Sequence, residues 1–259
     1  MKKYLKDLYI RKDLILYLVT SGLKAQNKNS FLGYFWWLLD PFLNVLLYYF
    51  VVVVIFKRAD GENYGIYLVV GLIIWRWLHS TISAASRSIT SQGGIISQVY
   101  LPKGIFPLGA SIAQLINFGF GVIVIFLFLI YFGVHPGFKI FWLPLIVFVQ
   151  LVFMTTIAYL VAYICVFVRD FTNIIEHILR IWFFGSPIIW YDSMIPDKAR
   201  LLLEINPMYH FLVSYRNIFI YNSNPEYLAL ICIGVGSIII NIVMIYFYYR
   251  YEYKIIKAL

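Results

Sequence analysis

Six stretches of this chain, 34–56, 64–85, 105–133, 141–168, 173–191 and 227–249, approach the length and apolarity that a helix needs to cross a bilayer. A hydrocarbon core about 30 Å thick takes about 20 apolar residues at a rise of 1.5 Å each. Within lipid the backbone must satisfy its own polar groups, so stretches of this kind cross as helices. The second is the least regular. Tyr64 to Trp75 is cleanly apolar, but Arg76, His79 and a small polar run over 80–91 follow, so this stretch can end in water or against other helices rather than in lipid. With 62% hydrophobic and only 13% charged residues, the chain cannot clothe itself as a soluble domain, and lipid is its solvent.

The net charge of +9 does not form a nucleic-acid surface, because the basic residues gather at the ends of the apolar stretches instead of along one face. Their placement sets an orientation. With both termini cytoplasmic, the inner segments hold Lys2, Lys3, Lys6, Arg11, Lys12, Lys24, Lys28, Arg87, Lys103, Arg169, Arg250, Lys254 and Lys257. The outer segments hold fewer, and acids such as Asp60, Glu62, Asp192 and Glu204 offset them. Residues 1–30 interleave Lys and Arg with apolar residues at helical spacing, which reads as an amphipathic interface helix and not as a cleavable leader. One membrane domain is expected over 1–259: this helix, six spans over 34–249, and a cytoplasmic tail over 250–259. Cys165 and Cys232 lie in apolar stretches and have no metal-ligand spacing.

Two connections carry their own structure. The inner one, 86–104, contains Gly93-Gly94 and ends in Tyr100-Leu101-Pro102-Lys103, a short helix bounded by breakers. The outer one, 192–226, is too apolar for a solvated loop and is split by Asn206-Pro207. It reads as two short helices dipping back into the outer leaflet, which protein or a water-filled cavity must line.

Three blocks of sequence resemble the polysaccharide-export permeases of the type-2 ATP-binding cassette family, those that export O-antigen or teichoic acid. The first runs from Gly22-Leu23-Lys24 through Lys28-Asn29-Ser30-Phe31-Leu32-Gly33-Tyr34-Phe35-Trp36 to Asp40-Pro41, with Asp40 where the family often has Asn. The second is Ile96-Ser97-Gln98-Val99-Tyr100-Leu101-Pro102-Lys103 with Pro107-Leu108, similar to the family's coupling helix. The third joins Arg169-Asp170-Phe171, Trp182, Ser186-Pro187-Ile188-Ile189-Trp190, Asn206-Pro207-Met208 and Arg216, similar to its fifth span and outer gate. The resemblance implies an all-α integral membrane protein of six transmembrane helices in a bacterial inner membrane, a homodimer docked on two copies of a separate nucleotide-binding ATPase. ATP and magnesium would be held by that partner. The sequence itself contains no G-x-x-x-x-G-K-[ST] loop, so no cofactor and no catalytic residue is expected in this chain.

On this resemblance Gln98, Val99, Tyr100, Leu101, Pro102 and Lys103 would dock on the ATPase. Lys24, Lys28, Asn29, Leu32 and Gly33 stand at the inner interface, where they can hold the phosphate of a lipid-linked polysaccharide or simply snorkel as positive-inside residues. Trp36, Trp182, Phe183, Pro187, Trp190, Asn206 and Pro207 are the channel or gate candidates, since aromatic faces pass sugars without trapping them; belt and packing roles compete. Arg76, Glu176 and Arg180 are charges in or near spans and should face protein or water. Glu176 and Arg180, four apart, can pair to orient their helix or can meet substrate. A membrane glycosyl- or acyltransferase would need clustered acids or histidines, whereas His79, His135, His177 and His210 are scattered. An exporter of drugs or small lipids would differ only in the lining of its pore.

Overall fold

The computed structural model describes residues 11–26, 31–55, 63–98 and 101–258, and among these all regular structure is helical. In chain order the helices are α1 (Lys12–Gln26), α2 (Trp36–Tyr49), α3 (Tyr64–Ser88), α4 (Gly93–Gln98), α5 (Ile105–Tyr131), α6 (Leu143–Phe167), α7 (Phe171–Phe184), α8 (Arg200–Glu204), α9 (Pro207–Phe219) and α10 (Tyr227–Ala258). A π-helix over Phe50–Ile55 extends α2, and a 3-10 turn over Phe138–Trp142 leads into α6. Five helical stretches, Trp36–Ile55, Tyr64–Ser88, Ile105–Tyr131, Phe138–Phe167 and Tyr227–Ala258, are long and apolar enough to cross a membrane. The chain is a multi-pass membrane protein.

The least regular apolar stretch forms the centre of the bundle. In α3, 83% of the most apolar window is buried within the chain, against 17% in α2 and in α10. Its apolar half is the more enclosed: Tyr64 to Trp75 are all buried, whereas Arg76, His79, Ser80 and Ser83 of the polar half are only partly so. The hydroxyls of Ser80, Thr81 and Ser88 fold back onto the carbonyls of Arg76 (2.7 Å), Trp77 (2.8 Å) and Ala85 (2.8 Å), and α3 lies against α5 and α6. Gly121 lets α5 come close, since a Cβ there would stand 2.7 Å from Ile73 Cγ2, and Phe118 stacks on Trp77 at 4.1 Å. Polar contacts also fasten α10 to α6: Asn241 Nδ2 donates to Thr156 Oγ1 (2.8 Å), and Thr156 donates to the carbonyl of Ser237 (3.2 Å).

Contacts divide the bundle into two ends. At one, Ile89, Ile96, Leu101, Phe106, Tyr159, Val166, Tyr248 and Ile255 form a single apolar cluster. At the other, Tyr64 OH donates to the carbonyl of Ile189 (2.6 Å) and Trp142 packs edge-on to Tyr227. The segment expected as a span over 173–191 runs between them, from Thr172 beside Cys165 at the first end to Ile189 at the second. It is not one continuous helix. α7 stops at Phe184 after 14 residues, about 21 Å, and the chain turns through Gly185-Ser186-Pro187, with Ile188 N donating to Ser186 O (2.7 Å).

Residues 250–258, expected as a cytoplasmic tail, continue α10 past a bend at Tyr251 (φ −108°, ψ 17°), and Ile255 enters the apolar cluster. The expected interface helix over 1–30 is described only as α1, which buries Val19 and Leu23 against Ala113 of α5. In the 192–226 connection, α8 is a single turn that buries only Leu203, while α9 buries Phe211, Leu212, Tyr215, Ile218 and Phe219 in the main core.

Candidate functional site

One face of the bundle carries a polar, aromatic groove. On α2, Trp36, Asp40, Asn44 and Tyr48 recur every four residues and so form a single stripe. On α3, Arg76, His79, Ser80 and Ser83 share a face by the same rule, as do Glu176, Arg180 and Phe183 on α7. These stripes meet in two adjoining cavities that share Arg76 and Ser80. The first, of about 420 Å³, lies among α2, α3 and α5, with Trp36, Asp40, Trp77, Gln114 and Asn117 in its walls. The second, of about 510 Å³, lies among α2, α3 and α7, with Asn44, Tyr48, Trp75, Glu176, Arg180 and Phe183.

The charges in the groove are paired across helices. Arg76 Nη2 meets Asp40 Oδ2, joining α3 to α2. Glu176 accepts from Ser83 Oγ and lies 3.1 Å from His79 Nε2, joining α7 to α3. The expected pairing of Glu176 with Arg180 is therefore replaced by one across the helix interface, and Arg180 forms no ion pair among the described residues. Nor are these charges buried: the side chains of Arg76 and Glu176 are each 36% exposed and Arg180 is exposed, all toward the groove.

A second constellation closes the turn after α7. Asn206 caps α9 by accepting from Met208 N (3.0 Å), with Pro207 in the first turn, where its missing N–H costs nothing. The same Asn206 oxygen accepts from Trp182 Nε1 (2.8 Å), and its amide donates to Ser186 Oγ (2.9 Å). Trp182 thus leaves the groove and packs edge-on against Trp75, whereas Phe183 lines the groove. Trp190 Nε1 donates to Phe184 O (3.1 Å). Above Pro187, which is buried, Arg216 Nη1 donates to the Pro187 carbonyl (2.7 Å) while the guanidinium lies 3.3 Å from the centre of the Tyr67 ring.

The profile of the ABC-2 type transporter family matches residues 13–220, which takes in α1 to α9. The chain belongs to the ABC-2 type transporter family. It is similar to the O-antigen export system permease protein RfbA of Myxococcus xanthus, 28% identical over 242 residues and 93% of each chain. It is also similar to a Klebsiella pneumoniae protein of the same description, 26% identical over 249 residues and 95% of each chain. The residues of the groove and of the turn after α7 all fall inside the family match.

At the first end of this ABC-2 type transporter, the last three residues of the segment expected to dock on an ATPase are turned inward. Leu101 and Pro102 are buried and Lys103 is fully enclosed, its ammonium 3.7 Å from Glu252 of α10. Burial draws the Lys103 pKa down, and the Glu252 carboxylate opposes that. The surface presented beside them is the 3-10 turn at Thr90–Gln92 and α4. Val99, Tyr100, Lys28 and Asn29 lie outside the described residues, as does the side chain of Gln98. Lys24 is exposed in the last turn of α1, Leu32 is exposed, and Gly33 takes φ +50°, a left-handed turn that glycine makes without steric cost as the chain enters α2. Sequence reading passed over Asp40, Asn44, His79 and Ser83 as site residues; the four-residue spacing on α2 was the one signal available for the first two.

Proposed function

We propose that this chain is the membrane-spanning subunit of an ATP-driven exporter that moves a lipid-linked polysaccharide, of the O-antigen kind, out of the cytoplasm. The observation that carries the reading is the groove: a stripe of Trp36, Asp40, Asn44 and Tyr48 on a helix little buried by its own chain, facing Arg76, Glu176 and Phe183. Hydroxyl-rich sugars are held weakly by such a mixture of aromatic faces and hydrogen-bonding groups, which suits passage better than capture. The likeness to permeases described as O-antigen exporters supports the same cargo class.

In this reading two copies pack with their grooves toward each other, and α7 with its following turn serves as the sixth pass. The end bearing Arg87, Lys103, Arg169, Arg250, Lys254 and Lys257 is cytoplasmic by the positive-inside rule. ATP and magnesium belong to a separate ATPase, docked near the 3-10 turn and α4. The test is a steric plug. Asn44 is exposed within the groove, so Asn44→Trp fills the passage without disturbing a core contact. In a strain lacking the native gene, the variant is expected to insert at normal abundance and to lower surface glycan about tenfold or more. Undiminished surface glycan would remove the groove from the path.

A further inference from the structure

A third cavity, of about 400 Å³, lies away from the groove at the first end of the bundle. Arg87 from the last turn of α3, Thr90 and Ser91 from the turn after it, and Arg169 and Thr172 around the start of α7 line it, with Cys165 and Ala258 completing the wall. Four separate segments of chain thus contribute to one polar concavity. Among the described residues no carboxylate lines it, and neither Arg87 nor Arg169 enters an ion pair. The contrast with the groove is informative, since each of its two cavities contains an acid, Asp40 or Glu176.

Arg87 and Arg169 are both exposed at this concavity, where one anion could meet two guanidinium groups at once. The hydroxyls sharpen the chemistry. Thr172 is turned inward and donates to Cys165 Sγ (3.6 Å), Thr90 donates to the Arg87 carbonyl (3.3 Å), and the Ser91 hydroxyl has no partner among the described residues. Two forked five-donor cations and a free hydroxyl match a tetrahedral oxyanion with several acceptor oxygens, which takes guanidinium bidentately. The volume leaves room for such a group with ordered water, at about 30 Å³ per water.

We propose that this cavity binds a phosphate or diphosphate group through Arg87 and Arg169. In the orientation proposed above it stands at the level of the inner headgroups, so the group can arrive on a lipid of that leaflet or free from the cytosol. The inference rests on that orientation and not on the identity of the cargo.

The full-length chain in nanodiscs tests it in two arms. In phosphatidylcholine discs, inorganic pyrophosphate is titrated calorimetrically; in discs containing a small fraction of phosphatidic acid, retained lipid is counted by native mass spectrometry. Saturable binding is expected in at least one arm, weakened about tenfold or more by Arg87→Gln or by Arg169→Gln, and less by the paired change to Lys, which keeps charge but not the fork. Binding in the first arm marks a free phosphate as the source, and binding in the second alone marks a lipid headgroup. Ser91→Trp, at an exposed position, fills the cavity without removing a charge and decides the matter should a Gln variant fail to fold. Absence of saturable binding in both arms, or binding unchanged by these variants, overturns the proposal. The measurement uses neither nucleotide nor glycan, so failure here and failure of export are separate results.

Discussion

Arg216 is 3% exposed and forms no ion pair among the described residues, a costly arrangement for a buried cation. Its stabilisation comes from dipoles: the carbonyls of Pro187 (2.7 Å), Ile188 (3.3 Å) and Tyr67 (3.4 Å), and the face of the Tyr67 ring. Room for the guanidinium is provided by Gly71, where a Cβ would stand 2.7 Å from Arg216 Nη2 and 3.2 Å from the Ile188 carbonyl. The second neighbour is backbone and cannot swing away. Gly71→Ala is therefore expected to destabilise the detergent-solubilised protein by about 1–3 kcal/mol through overpacking. Gly119→Ala is the control, because nothing lies within 4 Å of its Cβ, and helix propensity alone should make that change neutral or stabilising by up to about 1 kcal/mol. Thermal unfolding followed by fluorescence-detected size exclusion reads both, and equal midpoints would show that the guanidinium does not need the space.

Among the elements, α7 depends on its outer tether. A helix of 14 residues does not reach across a bilayer, and its end is held by Asn206, which accepts from Trp182 and donates to Ser186. Trp182→Phe keeps an aromatic body and removes one hydrogen bond, leaving Asn206 Oδ1 with Met208 N, and is expected to cost about 1 kcal/mol. Trp182→Ala also removes the packing on Trp75 and Phe153 and is expected to cost about 3 kcal/mol, with lower protein abundance and not only lower transport. Normal abundance of the Ala variant would return Trp182 to the channel. Sequence spacing could not reveal this, because Trp182 and Asn206 are separated by two turns and α8. Glu176 teaches the same lesson: its four-residue neighbour Arg180 was visible, whereas His79, on α3, is brought to it only by packing. Lys103 was expected among the docking residues, and nothing local disclosed that Glu252 would come back to meet it.

For the whole molecule, hydropathy located all five long helices, because lipid exposure and core burial both demand apolar residues. It could not distinguish the two environments, so α3, the poorest candidate, became the most buried. The remaining question of scale is whether the chain passes an even number of times. Geometry along α7 argues that it does: Thr172 adjoins Cys165 and Arg169 at one end, and Ile189 reaches Tyr64 at the other. In the orientation proposed above, Ser193 lies outside and Lys257 inside, with α10 returning the chain to the end where Lys103 meets Glu252. Single cysteines at these two exposed positions separate the cases once Cys165 and Cys232 are replaced by serine. A membrane-impermeant maleimide is expected to label Ser193→Cys in intact spheroplasts, and Lys257→Cys only after permeabilisation. Labelling of Lys257→Cys in intact spheroplasts would place the end where Lys103 meets Glu252 outside and would reverse the direction assigned to the groove.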